Sequence, residues 1–258
     1  MQTPAMLREK IRYGSFQGPT SGQCPDFVQA NVVIVPKAYA FDFFLFAHRN
    51  PDSCPLVDVF DAGVTESRFA PGSDIRNDVP RYRIYRHGTL TEETTSIKNI
   101  WLEDWVTFLI GCSFTFESIL QQEGIPLRHI EENKNVAMYV TDRPTKATTM
   151  FHGPLVVSMR PVPQQLVQKA SEVTASYPNM HGAPVHAGNP SVLGIADIEA
   201  PDFGDKIHIR DNELPVFWAC GVTPQMAAME SRLPFMITHA PGHMFVTDVT
   251  NEEFLKQR

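Results

Sequence analysis

The chain has 258 residues with 22 Lys and Arg against 29 Asp and Glu, a formal net charge of −7. That length supports one large domain or two modest ones with a sizeable core. The acidic balance argues against nucleic acid or an anionic membrane as main partner, and no apolar run approaches the ~20 residues of a membrane span. Four scattered cysteines (24, 54, 112 and 220) form neither a disulfide framework nor a CxxC zinc pair. Met1 to Arg12 carries no apolar leader segment, so a cytoplasmic α/β enzyme is expected.

Taken in chain order, Leu7 and Ile11 sit four apart and predict a short helix, followed by a Gly/Ser/Pro-rich loop from Gly14 to Pro25. Ala30 to Val35 is a continuous, largely β-branched run closed by Pro36 and reads as a fully buried strand. Ala38 to His48 is apolar nearly all round and is read as a buried helix. Leu56 to Phe60, Tyr82 to Tyr85 and Trp105 to Gly111 read as strands, with a helix over Phe116 to Gln122. Further on, Leu155 to Met159 is strand-like and Gln164 to Ser176 has helical spacing; short strands are expected over Val192 to Ile195 and Lys206 to Ile209. Pro215 to Asp248 returns to buried strands and a helix. The fold class expected is α/β: a three-layer main domain over 1–152 and 215–258, carrying a smaller two-layer α+β domain inserted over 153–214.

Two distant segments match. Val106-Thr-Phe-Leu-Ile-Gly-Cys112-Ser-Phe-Thr115 is followed by a helical stretch and Ile125-Pro-Leu-Arg-His129. Pro215-Val-Phe-Trp-Ala-Cys220-Gly-Val-Thr223 is followed by a helical stretch and Leu233-Pro-Phe-Met-Ile-Thr-His239. Each is an apolar strand, Cys-x-x-Thr, helix, proline and a histidine, with Cys and His 17 and 19 residues apart. Thr115 and Thr223 stand where helix N-caps belong, and Pro224 occupies the favoured first helical position. Each cysteine then lies between a strand's carboxyl end and a helix's amino end, where free N–H groups and the helix dipole favour anions and lower a thiol's pKa. A free cysteine is also often only a small buried hydrophobe. The repetition of the turn is what raises Cys112 and Cys220 to candidates for catalysis.

Histidines gather late, in His181-Gly-Ala-Pro-Val-His186 and in Thr238-His239-Ala-Pro-Gly-His243. His181 and His239 are candidate acid–base groups. Neither pair matches the helical His-Glu-x-x-His zinc pattern, so no metal ligand is predicted, although a divalent metal is left open. Arg81, in a charged stretch from Asp74 to Arg83, and Arg160, after a buried strand, are candidate carboxylate clamps. Ser113, Thr115 and Thr223 are the other candidate substrate contacts. Asp202, Asp205 and Asp248 stand at element ends, where an acid or base could project into a cleft. Walker, GxGxxG and GxSxG motifs are absent from the sequence.

Several long motifs carry a family resemblance: Gln29-Ala-Asn31, Arg49-Asn-Pro51, Cys54-Pro55, Asp74-Ile-Arg76, Pro80-Arg-Tyr82, Phe108 through Phe114, Gly153 through Arg160, His181 through His186, Pro215 through Gln225 and Thr238 through Gly242. In these the chain resembles the D-glutamate cyclase family, whose bacterial members are usually described as hydro-lyases. The resemblance implies loss of water from D-glutamate, or a related amino acid, to give a 5-oxoproline-type product; separately, no cofactor is predicted. It supplies no list of catalytic residues. A two-thiol amino-acid racemase or epimerase, and a non-catalytic amino-acid-binding regulatory protein, are the alternatives. The partner expected is a small amino acid, with a homodimer as the candidate assembly.

Overall fold

The computed structural model describes residues 2–256. In chain order the elements are α1 (Pro4–Arg12), β1 (Phe27–Pro36), α2 (Lys37–Arg49), β2 (Leu56–Val59), β3 (Tyr82–Arg86), β4 (Thr89–Thr94), β5 (Trp105–Gly111), α3 (Glu117–Gln122) and α4 (Arg128–Glu131). There follow β6 (Ala137–Pro144), β7 (Pro154–Pro163), α5 (Val167–Ala175), β8 (His186–Ala187), β9 (Glu213–Ala219), α6 (Thr223–Glu230), β10 (Phe235–His239), β11 (Phe245–Thr250) and α7 (Asn251–Lys256).

The helices accompany two antiparallel sheets. The larger runs β2-β5-β1-β10-β3-β4, with β11 also pairing β1; the smaller runs β6-β7-β9-β8. β1 is the centre of the larger sheet, bonded along Ala30 to Pro36 with Gly111 to Trp105 of β5. Its side chains alternate between two cores, as a strand covered on both faces must. Val33 and Val35 join Phe43, Phe46 and Phe108 under α2 and α6, whereas Val32 and Ile34 join Tyr82, Leu109 and Ile237 on the other face. The smaller sheet packs Val162, Val216 and Trp218 against Phe116, Leu120 and Ala170, and so joins α3 and α5 to its own face.

Two expected strands are not strands. Pro190–Leu193 is a 3-10 turn, started by the Asn189 side chain accepting from the Ser191 N–H and stopped by Gly194 at φ 73°. Proline at the first position and glycine at the exit outweigh the β preference of Val192. Residues 206–209 have no regular structure; Ile207 is buried and Ile209 packs beside it, but no strand pairs with them. The smaller sheet also takes strands from both sides of the 153–214 segment, β6 before it and β9 across its end.

Candidate functional site

The two matching segments fold alike. Gly111 pairs with Ala30 in the β5–β1 ladder, and Ala219 pairs with Val157 in the β9–β7 ladder. Thr115 Oγ1 accepts from the N–H of Gln29, one residue before Ala30, at 3.1 Å. Thr223 Oγ1 accepts from the N–H of Val156, one residue before Val157, also at 3.1 Å. In both turns the threonine N–H donates to the cysteine carbonyl, at 3.1 and 3.0 Å. Neither threonine is an N-cap: Cys112 caps the first turn, its Sγ accepting from the Phe114 N–H, and Val222 precedes α6. The hydroxyls pin each turn to its neighbouring strand instead, which leaves them no role as free substrate contacts. After the shared proline the units diverge, one continuing as α4 and the other as β10.

The turns bring the thiols of Cys112 and Cys220 into one apolar cluster with Phe114, Val136, Met138, Val156, Val222 and Met244. The two residues are only 5% and 8% exposed. The expected acidification does not occur. Burial pushes the Cys220 thiol up to about 11 and Cys112 further, because the lost hydration of a thiolate outweighs the helix-end N–H groups.

Arg160 is likewise not a free clamp. Its guanidinium is 1% exposed and donates to Glu117 Oε1 (Nε, 3.1 Å), Ser113 Oγ (3.0 Å) and Ser158 Oγ (3.2 Å). His129 Nε2 reaches the same Glu117 oxygen at 3.0 Å, and Ser21 Oγ donates to Glu117 Oε2 at 2.9 Å while lying 3.2 Å from His129 Nε2. Burial alone would raise the Glu117 carboxyl; the adjoining His129 and Arg160 charges overcome it and hold the group at about 2.

His181 is buried at φ 79°, its Nδ1 2.8 Å from the Asp52 carbonyl, and burial lowers it to about 4. It lies against Gly111, where a Cβ would stand 1.8 Å from the carbonyl oxygen of Asn179. His239 is fully buried, its Nδ1 at the backbone of Val32, and burial lowers it to about 3. Its Nε2 has no hydrogen-bond partner.

An open cleft of about 530 Å³ lies beside these groups, lined by Arg81, Arg83, Glu93, Asn135, Asp202 and His243 among others. Its residue Phe203 also packs on the thiol cluster, and Asn135 and His243 are chain neighbours of Val136 and Met244 in it. Arg83 Nε pairs with Glu93 at 2.7 Å, whereas Arg81 stands 3.7 Å from Glu93 and its buried Nε has no partner. Asn135 Oδ1 is equally unpartnered. Gln225 ties α6 to this region, donating to the His239 carbonyl at 2.9 Å and accepting from Tyr85 Oη at 3.1 Å. Of the nine sequence candidates, then, Arg81 lines the cleft, Cys112 and Cys220 back it, and His239 ends the strand beside it. Ser113 serves Arg160, and His181 faces another loop. Asp202, expected only as an acid at an element end, does line the cleft. Nothing in the sequence singles out Glu117, Ser21 or Asn135; the seventeen-residue Cys-to-His spacing contains His129 but gives no sign of Glu117 as its partner. Among the described residues no group of three or more His, Cys, Asp or Glu is arranged to hold a metal ion, and no helix is long and apolar enough to cross a membrane.

The family model described as D-glutamate cyclase matches residues 106–248, a span that includes both cysteine turns. The chain belongs to the D-glutamate cyclase family. A relative from Thermoanaerobacter sp. (strain X514), described as "putative hydro-lyase", is 53% identical over 96% of this chain and 94% of its own. Another of that description, from Stutzerimonas stutzeri, is 54% identical over 97% and 95%. A solved nitrogen repressor-like protein from Methanococcus jannaschii covers 97% of this chain and 99% of its own at 11% identity, with a TM-score of 0.39, too low to transfer even the fold. Membership of the D-glutamate cyclase family and these relatives together support a hydro-lyase-like function.

Proposed function

We propose that the protein dehydrates D-glutamate, or a closely related amino acid, to the cyclic 5-oxoproline-type lactam, with the cleft beside the thiol cluster as its site. The observation that carries this reading is the charge pattern of that cleft: Arg81 with an unpartnered buried Nε, opposite Glu93 and Asp202. A dicarboxylic amino acid presents two anionic ends and one cationic nitrogen, and guanidinium and carboxylate groups are the side chains that recognise them. Arg81 holds one carboxylate; Glu93 and Asp202 face the ammonium.

Cyclisation forms the N–Cδ bond and breaks a Cδ–O bond. Two protons leave nitrogen, two join the departing oxygen, and no oxidant or reductant is consumed. Asp202, a carboxylate lining the cleft, takes the first ammonium proton and later returns it to the departing oxygen. Cys112 and Cys220, protonated and closed behind Phe203, form the apolar backing of the cleft, which keeps water from the reacting carboxyl. No organic cofactor enters this scheme. Thiols held protonated do not favour a two-thiol racemase, which needs one thiolate at each turnover.

Proton NMR of the purified protein with D-glutamate, with and without a divalent metal, tests the reading: 5-oxoproline signals are expected to grow while the Cα proton is retained in heavy water. An unchanged spectrum in both arms refutes it. Arg81→Met should raise KM at least about tenfold with little change in Tm, since Arg81 is partly exposed; an unchanged KM removes it from the site.

A further inference from the structure

The Thr238-His239-Ala-Pro-Gly-His243 segment ends in a histidine that the scheme above leaves unused. Ala240 to His243 has the form of a type II turn: proline in second place, Gly242 third at φ 84°, and the His243 N–H donating to the Ala240 carbonyl at 2.9 Å. Three contacts hold the turn. The Ala240 N–H donates to the Arg81 carbonyl at 2.7 Å, the Gly242 carbonyl accepts from the Thr20 N–H at 2.8 Å, and the Pro241 carbonyl accepts from Asn135 Nδ2 at 3.1 Å. A Cβ on Gly242 would stand 2.4 Å from Asn135 Oδ1, so the turn also packs directly on that amide. His243 is thereby carried on a fixed support in the wall of the cleft, which Arg81, Glu93 and Asp202 also line.

The partners of the ring assign its proton. Nδ1 lies 2.9 Å from the Pro241 carbonyl, which can only accept, so the neutral ring carries its hydrogen on Nδ1 and its lone pair on Nε2. Nε2 is not sealed, in contrast to that of His239, and the open space that His243 borders is the cleft. Burial lowers the ring below its ordinary value and the Arg81 charge adds to the fall, partly offset by Glu93 and the carbonyls of Pro241 and Gln17, so the ring is uncharged at neutral pH. His239, the other titratable group of the segment, is uncharged as well. Glu93 and the Gln17 carbonyl, both on the cleft wall, steady the ring once a second proton arrives.

We propose that His243 is a catalytic residue of this protein, its Nε2 taking a proton from the substrate nitrogen and giving it to the departing oxygen. This rests on the cyclase reading for its substrate. Asp202 accounts for the first proton; once the N–Cδ bond has formed, the nitrogen still carries one proton more than the lactam keeps. Nε2 accepts that proton and, as imidazolium, donates it to the hydroxyl on Cδ as the Cδ–O bond breaks and water leaves. The ring ends neutral, as it began, and no oxidant or reductant is needed.

Two measurements on the full-length protein test this. His243→Asn separates chemistry from structure, because its amide keeps a donor for the Pro241 carbonyl but has no basic nitrogen. In the NMR assay with D-glutamate it should lower kcat by roughly 10²–10⁴-fold, the usual worth of a positioned acid–base group, with KM within about twofold and Tm close to that of wild type. Independently of substrate, NMR of the ring nitrogens in wild type above neutral pH, with the His243 signals identified by their loss in His243→Asn, should find the proton on Nδ1 and a bare Nε2. A His243→Asn protein that turns over like wild type overturns the proposal and leaves the cyclase reading standing, as does a neutral ring that carries its proton on Nε2. A wild type that does not convert D-glutamate overturns the cyclase reading itself, and this role falls with it.

Discussion

Glu117→Gln is the substitution whose consequence comes most directly from the geometry. The carboxylate is buried and shared by Arg160, His129 and Ser21. The amide is nearly isosteric but uncharged, so Arg160 keeps only neutral partners in a site that excludes water. Removing one member of a buried ion pair costs about 3–5 kcal/mol because the remaining charge stays desolvated. The pKa gives a second route to the magnitude. A carboxyl that titrates at about 2 in the folded chain and near 4.5 unfolded contributes about 3 kcal/mol at neutral pH. For a chain of this length that corresponds to a fall in Tm of roughly 10 °C.

The sign with pH is set by the direction of the shift. The folded pKa lies below the unfolded one, so the contribution is complete above about 4.5 and is lost as pH falls toward 2. Urea unfolding of wild type and Glu117→Gln, monitored by far-UV circular dichroism at pH 7, 5 and 3, should show a gap of about 3 kcal/mol at pH 7. The gap should shrink by about 2 kcal/mol between pH 5 and pH 3. A gap below about 1 kcal/mol at pH 7, or one that stays constant as the pH falls, would show that Glu117 is not held as an ionised member of the cluster.

Two further outcomes are expected. Burial raises Cys54 to about 12, Cys220 to about 11 and Cys112 further, so Ellman's reagent at pH 8 should modify these thiols at least about a hundredfold more slowly than a free cysteine, and all should react in urea; rapid reaction of either Cys112 or Cys220 in the folded protein would contradict the closed cluster. In Gly221→Ala the new Cβ would stand 2.1 Å from Asn31 Nδ2, and such overpacking typically costs about 1–3 kcal/mol; Asn31→Ala in the same chain should recover part of the loss, and strict additivity in the double-mutant cycle would show that the two residues do not press on each other.

Much of the frame was legible because its signals are local. Ala30 to Val35 reads as a strand buried on both faces, and it is the centre of the larger sheet. The Cys-x-x-Thr spacing announced a repeated turn, since a tight strand-to-helix passage allows few residues between the end of the ladder and the hydroxyl that anchors it. Long-range facts were not legible. No spacing rule pairs Arg160 with Glu117, 43 positions away, so a side chain read as a clamp for substrate carboxylate proved to be committed to an internal one. The thiols show the same limit: sequence gives the helix end that lowers a pKa, while the burial that raises it depends on Val136, Val156 and Met244 arriving from three other places in the chain. Residues 206–209 alternate like a strand, yet pairing needs a free neighbouring edge, and alternation alone does not supply one.

The two turns are alike in backbone and differ in the residue next to each cysteine, and that difference decides what the repeated frame presents. After Cys112 comes Ser113, whose hydroxyl accepts from Arg160 and so joins the first turn to the Glu117–His129–Ser21 cluster. After Cys220 comes Gly221, which has no side chain and lets the Asn31 amide press against the backbone, where Asn31 Nδ2 also donates to the Gly111 carbonyl at 2.7 Å. One turn is therefore backed by charge and exchangeable protons, the other by a neutral amide with fixed donors. Under the cyclase reading this asymmetry matches the substrate. Of the two carboxylates of an acidic amino acid, one must only be held, while the other must lose an oxygen and be supplied with protons. Ser113→Ala keeps both cysteines and leaves Gly221 and Asn31 undisturbed while cutting the first turn's link to Arg160; on this reasoning it should lower kcat in the NMR assay at least about tenfold, and an unchanged kcat would show that the asymmetry has no part in turnover.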